Sequence, residues 1–141
     1  MEHNPQWQLA QRFTRQKKWE SAVPAYRALL QQSPGFAPAW LELSTALEQR
    51  DRYRESRDCV LHAARAAGPD VNPMLGLTIA RRFRRFEDSD RMVAYVQATG
   101  LDVRLPPERL VDLGTLFSSA GAFELASKWV DDALARLPGN A

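Results

Sequence analysis

The sequence predicts an all-α fold built from antiparallel helix pairs, and three observations predict it. Apolar and small positions recur 34 residues apart: Leu9, Leu43 and Leu77; Trp19 and Tyr53; Ala22 and Ser56; Tyr26 and Val60. Helix-start signals recur at Asn4-Pro5, Ala37-Pro38, Asn72-Pro73 and Pro106-Pro107, where proline suits the first helical turn and asparagine suits the N-cap. Between these signals the apolar spacing is helical, and strand-type alternation is not evident. A period of this length marks an array of supersecondary units, none of which can bury its apolar face alone.

The units are expected over residues 3–36, 37–70, 71–105 and 106–139. The first opens at Asn4, carries Leu9 and Phe13 on its first helix, turns through RQKK, and places Ala22, Tyr26, Leu29 and Leu30 on its second helix. The second unit repeats this with Trp40, Leu43 and Leu47, the turn RDR, then Ser56, Val60 and Ala63. Pro34 maps to Gly68, after which a two-residue insertion shifts the frame. The third unit is degenerate. Its first helix fits with Ile79, Ala80 and Phe83 as anchors, and its second with Phe86, Ser89, Val93 and Val96. Those registers differ by about three residues, which predicts a shortened turn. The fourth unit reads Leu110, Leu113, Gly114, Phe117, Ala126, Val130, Ala133, Leu134 and Pro138. Its last helix, from about Phe123 to Leu137, shows two apolar stripes. Ala126, Val130, Ala133 and Leu137 are expected to pack inward, and Leu125 with Trp129 to stay partly exposed. An uncovered stripe there predicts either a further segment after Pro138 or self-association as a homodimer.

Composition narrows the function classes. A chain of 141 residues with 45% hydrophobic and 26% charged residues suits one soluble domain over residues 1–141. The net charge of +2 lacks the surplus expected of a strongly basic nucleic-acid domain. The excess of arginine over lysine reads first as coding bias. Cys59 is the single cysteine, so no intrachain disulfide can form. No apolar run approaches the roughly 18 residues of a membrane span, and MEHNPQWQLAQR lacks the apolar segment of a secretion signal. A cytoplasmic location is therefore expected. Cys59 and His62 are three apart on a predicted second helix, and structural occupancy is the expectation for both. No phosphate-binding glycine loop and no zinc-ligand spacing occurs, so no catalytic residue, cofactor site or metal site is expected.

The repeated pattern resembles the tetratricopeptide repeat, whose signature is W-x2-L-G-x2-Y, then A-x3-F, then a terminal proline. The chain is similar to a bacterial-type array of about four such repeats. Leu113, Gly114, Phe117, Ala126, Val130 and Pro138 carry the resemblance best, and Ala10, Ser44, Ala80 and Gly114 hold the small position that lets paired helices approach. The resemblance implies a right-handed superhelical solenoid with first helices lining a concave groove. It places Trp7, Gln11, Arg15, Leu41, Glu42, Thr45, Glu48, Leu77, Arg81, Arg84, Arg85, Val111, Asp112 and Thr115 on that groove.

It further implies a protein-interaction scaffold that binds a peptide or partner protein. An alternative is the N-terminal array of a larger enzyme, such as a bacterial sulfotransferase or glycosyltransferase. A clamp for chaperone tails is not carried over, because Trp7, Gln11 and Glu42 stand where its basic and amide residues would be.

The stretch ARRFRRFEDSD, residues 80–90, asks whether nucleic acid is the partner. Phe83 and Phe86 can share one helix face as core anchors, which removes them as stacking platforms. Glu87, Asp88 and Asp90 offset much of the local charge. The arginines are better matched to carboxylates, which their guanidinium forks bind bidentately, so an acidic partner segment is expected. The competing expectation is that Arg81 or Arg85 pairs with Glu48 or Asp112 across the groove.

Overall fold

Each expected helix pair forms. The computed structural model of the chain describes residues 3–137, and its elements are α1 (Pro5–Arg15), α2 (Trp19–Gln32), α3 (Ala37–Gln49), α4 (Tyr53–Ala67), α5 (Pro73–Arg85), α6 (Ser89–Thr99), α7 (Leu101–Arg104), α8 (Pro107–Ser119) and α9 (Phe123–Arg136). No strand occurs among the described residues. Pro138, expected to close the fourth unit, lies outside them. The chain divides between Gly68 and Pro69 into two compact units. The first holds α1 to α4 and the second α5 to α9.

Helix starts follow the asparagine signals. Asn4 Oδ1 accepts from the backbone N–H groups of Gln6 at 2.8 Å and Trp7 at 3.2 Å. Asn72 Oδ1 accepts from Met74 at 2.9 Å and Leu75 at 3.3 Å. Each cap satisfies two donors that a helix cannot pair internally.

The turns inside the pairs are equivalent. Three residues separate α1 from α2, α3 from α4, α5 from α6 and α8 from α9. The middle residue of each is left-handed: Lys17 at φ 57°, Asp51 at 60°, Glu87 at 57° and Gly121 at 86°. Only the last is the glycine that this conformation favours. The expected shortening of the third turn is thus corrected. The register error came from the second helix. Counted from these turns, Ala22, Ser56, Met92 and Ala126 occupy one position, where a bulky Met92 hides the pattern of small residues. Phe86 is not an α6 anchor but the C-cap of α5, half-buried, with the Arg82 guanidinium 5.3 Å from its ring centroid.

The same count aligns Leu9, Leu43, Ile79 and Leu113, so Ile79 rather than Leu77 continues the series. Leu43, Ile79 and Leu113 are buried, whereas Leu9 is 42% exposed. The small position behaves as expected. Ala10, Ser44 and Ala80 are fully buried, and a Cβ on Gly114 would stand 3.0 Å from Val130 Cγ2. In the second repeat, Ser56 Oγ donates to the Ser44 carbonyl at 2.6 Å and pairs with Ser44 Oγ at 2.9 Å, so both buried hydroxyls are satisfied.

The degenerate third repeat is rebuilt around α7. Gly76 stands where the second repeat has Trp40. A Cβ there would fall 2.7 Å from Leu101 Cδ2. The bulk missing from α5 is supplied by Leu101, fully buried on α7. Arg104 fixes that short helix. Its Nη1 donates to the carbonyls of Thr99 at 3.1 Å and Pro69 at 3.4 Å, and its Nη2 donates to the Val71 carbonyl.

One expectation at the last helix is overturned. Trp129 is 4% exposed and meets Phe117 edge-on, with ring centroids 4.3 Å apart. Leu125 is half-buried. Trp129 lies three residues from Ala126 and four from Ala133, so one face carries all three. The large apolar side chains left outside on α9 are Phe123 and Leu134.

Candidate functional site

The residues expected to line a groove belong to the first helices, and the structure sorts them by role. Trp7 is corrected to a core residue. It is 9% exposed, and its ring lies edge-on to Phe36 at 5.0 Å and Tyr26 at 5.9 Å. Leu41 and Leu77, which the turn count aligns with Trp7, are also buried, whereas Val111 at the same position stays open to solvent. A tryptophan inside a polar N-terminal stretch reads as a surface ring. Its partners, Tyr26 on α2 and Phe36 after it, lie far along the chain.

In the first unit, Gln11, Thr45, Glu42 and Glu48 are half-buried and Arg15 is exposed. Thr45 Oγ1 donates back to the Leu41 carbonyl at 3.2 Å, four residues earlier on its own helix. Tyr26 sits beneath this surface with its hydroxyl 2.6 Å from Thr14 Oγ1. Burial pushes its phenol up to about 12, against the smaller opposing effect of that hydrogen bond.

In the second unit the arginines of α5 divide their tasks. Arg81 Nη2 lies 3.4 Å from Asp112 Oδ2 on α8, and Arg109 reaches the same oxygen at 3.2 Å. This is the pairing anticipated for Arg81. The pair is substantially exposed, so its net contribution is of order 0–1 kcal/mol. Arg84 has a different role. Its Nε donates to Ser119 Oγ at 3.0 Å and its Nη2 to the Ser119 carbonyl at 2.8 Å, while Ser119 Oγ donates on to Leu116. A guanidinium at the last carbonyl of α8 satisfies that acceptor and matches the negative helix end. Arg84 is therefore committed to the fold, which sets it apart from Arg81, and Arg85 is exposed.

Arg136 likewise donates to the Leu105 carbonyl at 3.2 Å. Together with Arg84 and Arg104 it gives the arginine excess a structural use beyond coding bias. The thiol of Cys59 is buried and free, and burial pushes it up to about 12, which favours the neutral thiol over the thiolate. The His62 ring stacks on Trp40 with centroids 4.5 Å apart. Among the described residues, no group of three His, Cys, Asp or Glu side chains could hold a metal ion, and no helix is long and apolar enough to cross a membrane.

Residues 13–77 match the family model of the tetratricopeptide repeat. No curated protein matches the chain.

Proposed function

We propose that this chain, which carries tetratricopeptide repeats, is a non-catalytic scaffold that binds a partner protein through its first helices, with an acidic segment recognised on α5. The observation that carries the reading is the division of labour among the α5 arginines. Arg84 caps α8, whereas Arg81 holds only an exposed ion pair at 3.4 Å to a carboxylate that Arg109 also reaches. Because Asp112 keeps Arg109 when Arg81 turns away, a carboxylate from a partner can replace it at Arg81 with little loss. Arg85, exposed one turn further along α5, extends the basic strip. Gln11, Thr45 and Thr115 share the repeat position of Arg81, and none is fully buried.

The test is a partner isolated with the intact chain and then measured against charge-reversed variants. Arg81→Glu with Arg85→Glu should weaken binding on the order of tenfold or more at low salt, and leave helicity unchanged, since neither residue supports the core. Added salt should weaken the wild-type complex in the same direction. Arg84→Glu should behave differently and lower thermal stability by loosening the end of α8. A partner that binds the double variant as tightly as the wild type would remove α5 from the interface.

A further inference from the structure

The face formed by α2 and α4 in the first unit carries a cleft of about 580 Å³. Its floor and walls are Leu30, Leu43, Leu47, Trp40, Pro34 and Cys59. That volume falls within the usual range for ligand pockets, roughly 300–1,000 Å³, and an apolar lining with few polar groups is typical of them. One wall is rigid. Trp40 donates its indole N–H to the Pro34 carbonyl at 2.9 Å and is stacked flat on His62, with 18° between the ring planes. Its aromatic surface is thus held in place before anything binds, which lowers the ordering cost of binding.

The mouth is charged unevenly. Arg27 on α2 is already neutralised by Glu55 on α4, 2.8 Å away. Asp58, one turn along α4, also lines the cleft, and no ion pair among the described residues involves it. An occupant therefore meets an apolar, ring-walled interior beneath an uncompensated carboxylate.

We infer that this cleft is a second binding site, which takes an aromatic side chain from a partner segment with a lysine or arginine beside it. The ring fills the space against Trp40 and above the Cys59 thiol, and the neighbouring cation lies by Asp58. Buried aromatic anchors of this kind dominate the energetics of interfaces. The site is lined from α2, α3 and α4 and contains no residue of α5, so it does not depend on the proposed role of the α5 arginines.

The probes are two dipeptides, N-acetyl-Phe-Lys-amide and N-acetyl-Phe-Glu-amide, titrated into the full chain at pH 8 and low salt. Proton–nitrogen correlation spectra read each site separately. The lysine dipeptide should shift the Trp40 indole N–H and the amides of Glu55 to His62. It should bind about fivefold more tightly than the glutamate dipeptide, the order of one charge contact near a protein surface. Asp58→Lys, an exposed substitution that leaves the core intact, should reverse that order. Arg81→Glu with Arg85→Glu should leave the titration unchanged. Equal affinity for the two dipeptides, no movement of the Trp40 indole at millimolar probe, or an Asp58→Lys variant with the original preference would each overturn the inference.

Discussion

Tryptophan positions show how burial, and not residue type, sets a side chain's role. The sequence places Trp7 and Trp129 on surfaces, yet both are inside, each against aromatic partners from another segment. Trp129 therefore serves the core of the second unit, and Trp129→Glu should unfold that unit rather than dissolve a dimer. Loss of the ring alone corresponds to about 3–5 kcal/mol, and an unpaired buried carboxylate adds to it. Chemical denaturation followed by far-ultraviolet dichroism would check this; a variant within about 1 kcal/mol of the wild type would show that the ring is not packed on Phe117.

Three buried groups give a pH signature. Tyr26 and Tyr95 are raised from 10.0 to about 12 and Cys59 from 9.0 to about 12, each mainly by desolvation. Their neutral forms are favoured in the folded chain, so the unfolded chain releases these protons first as pH rises. Stability from these groups is complete below about pH 9 and should fall progressively between pH 9 and 12. Denaturation midpoints at stepped pH would show it. In Cys59→Ala the decline should begin nearer pH 10, where the tyrosines alone act.

At the scale of elements, a register is legible only where a helix keeps the residue sizes of its neighbours. Helices α1 to α4, α8 and α9 were readable from spacing and caps, because each preserves a small position and an aromatic or aliphatic anchor. In the third repeat the start of α5 at Asn72-Pro73 and its anchors Ile79, Ala80 and Phe83 were readable too, but the register of α6 and the part played by α7 were not, since Met92 fills the small position and Gly76 the large one. Its missing bulk is returned by Leu101, which no repeat pattern contains. That exchange makes Gly76 the most informative position in α5. Alanine there would gain about 1 kcal/mol of helix propensity. Its Cβ would meet Leu101 Cδ2 at 2.7 Å and Val71 Cγ1 at 3.2 Å, and overpacking of that kind costs about 1–3 kcal/mol. Gly76→Ala should thus be net destabilising. Combined with Leu101→Ala, the pair should cost less than the two singles added together, because the cavity of one accepts the methyl of the other. Additive costs in a double-mutant cycle would disconnect α7 from α5. The candidate site was legible to a similar degree. Helical spacing finds the repeat position shared by Gln11, Thr45, Arg81 and Thr115, of which the first two are half-buried and the last two exposed, but not that Arg84 caps the end of α8. A guanidinium reaching a backbone carbonyl 35 residues away leaves no local trace in the sequence.

Over the whole molecule, the first unit contains its own core. Trp7, Tyr26, Leu29, Leu43, Leu47 and Cys59 form one buried cluster drawn from all four of its helices. Leu43 is 2% exposed within it, and Leu43→Ala should cost about 2–5 kcal/mol through lost burial and a residual cavity. In a repeat array such a loss need not spread evenly, because stability is close to a sum of local and nearest-neighbour contributions. The tryptophans make this measurable. Trp7, Trp19 and Trp40 belong to the first unit and Trp129 to the second, and no other tryptophan is present. With 5-fluorotryptophan incorporated, fluorine spectra give a separate denaturation midpoint for each ring. Leu43→Ala should lower the midpoints of Trp7, Trp19 and Trp40 together and move that of Trp129 less. If all four midpoints fall by the same amount, the chain unfolds as one cooperative body, and the core of the first unit is not a separate source of stability.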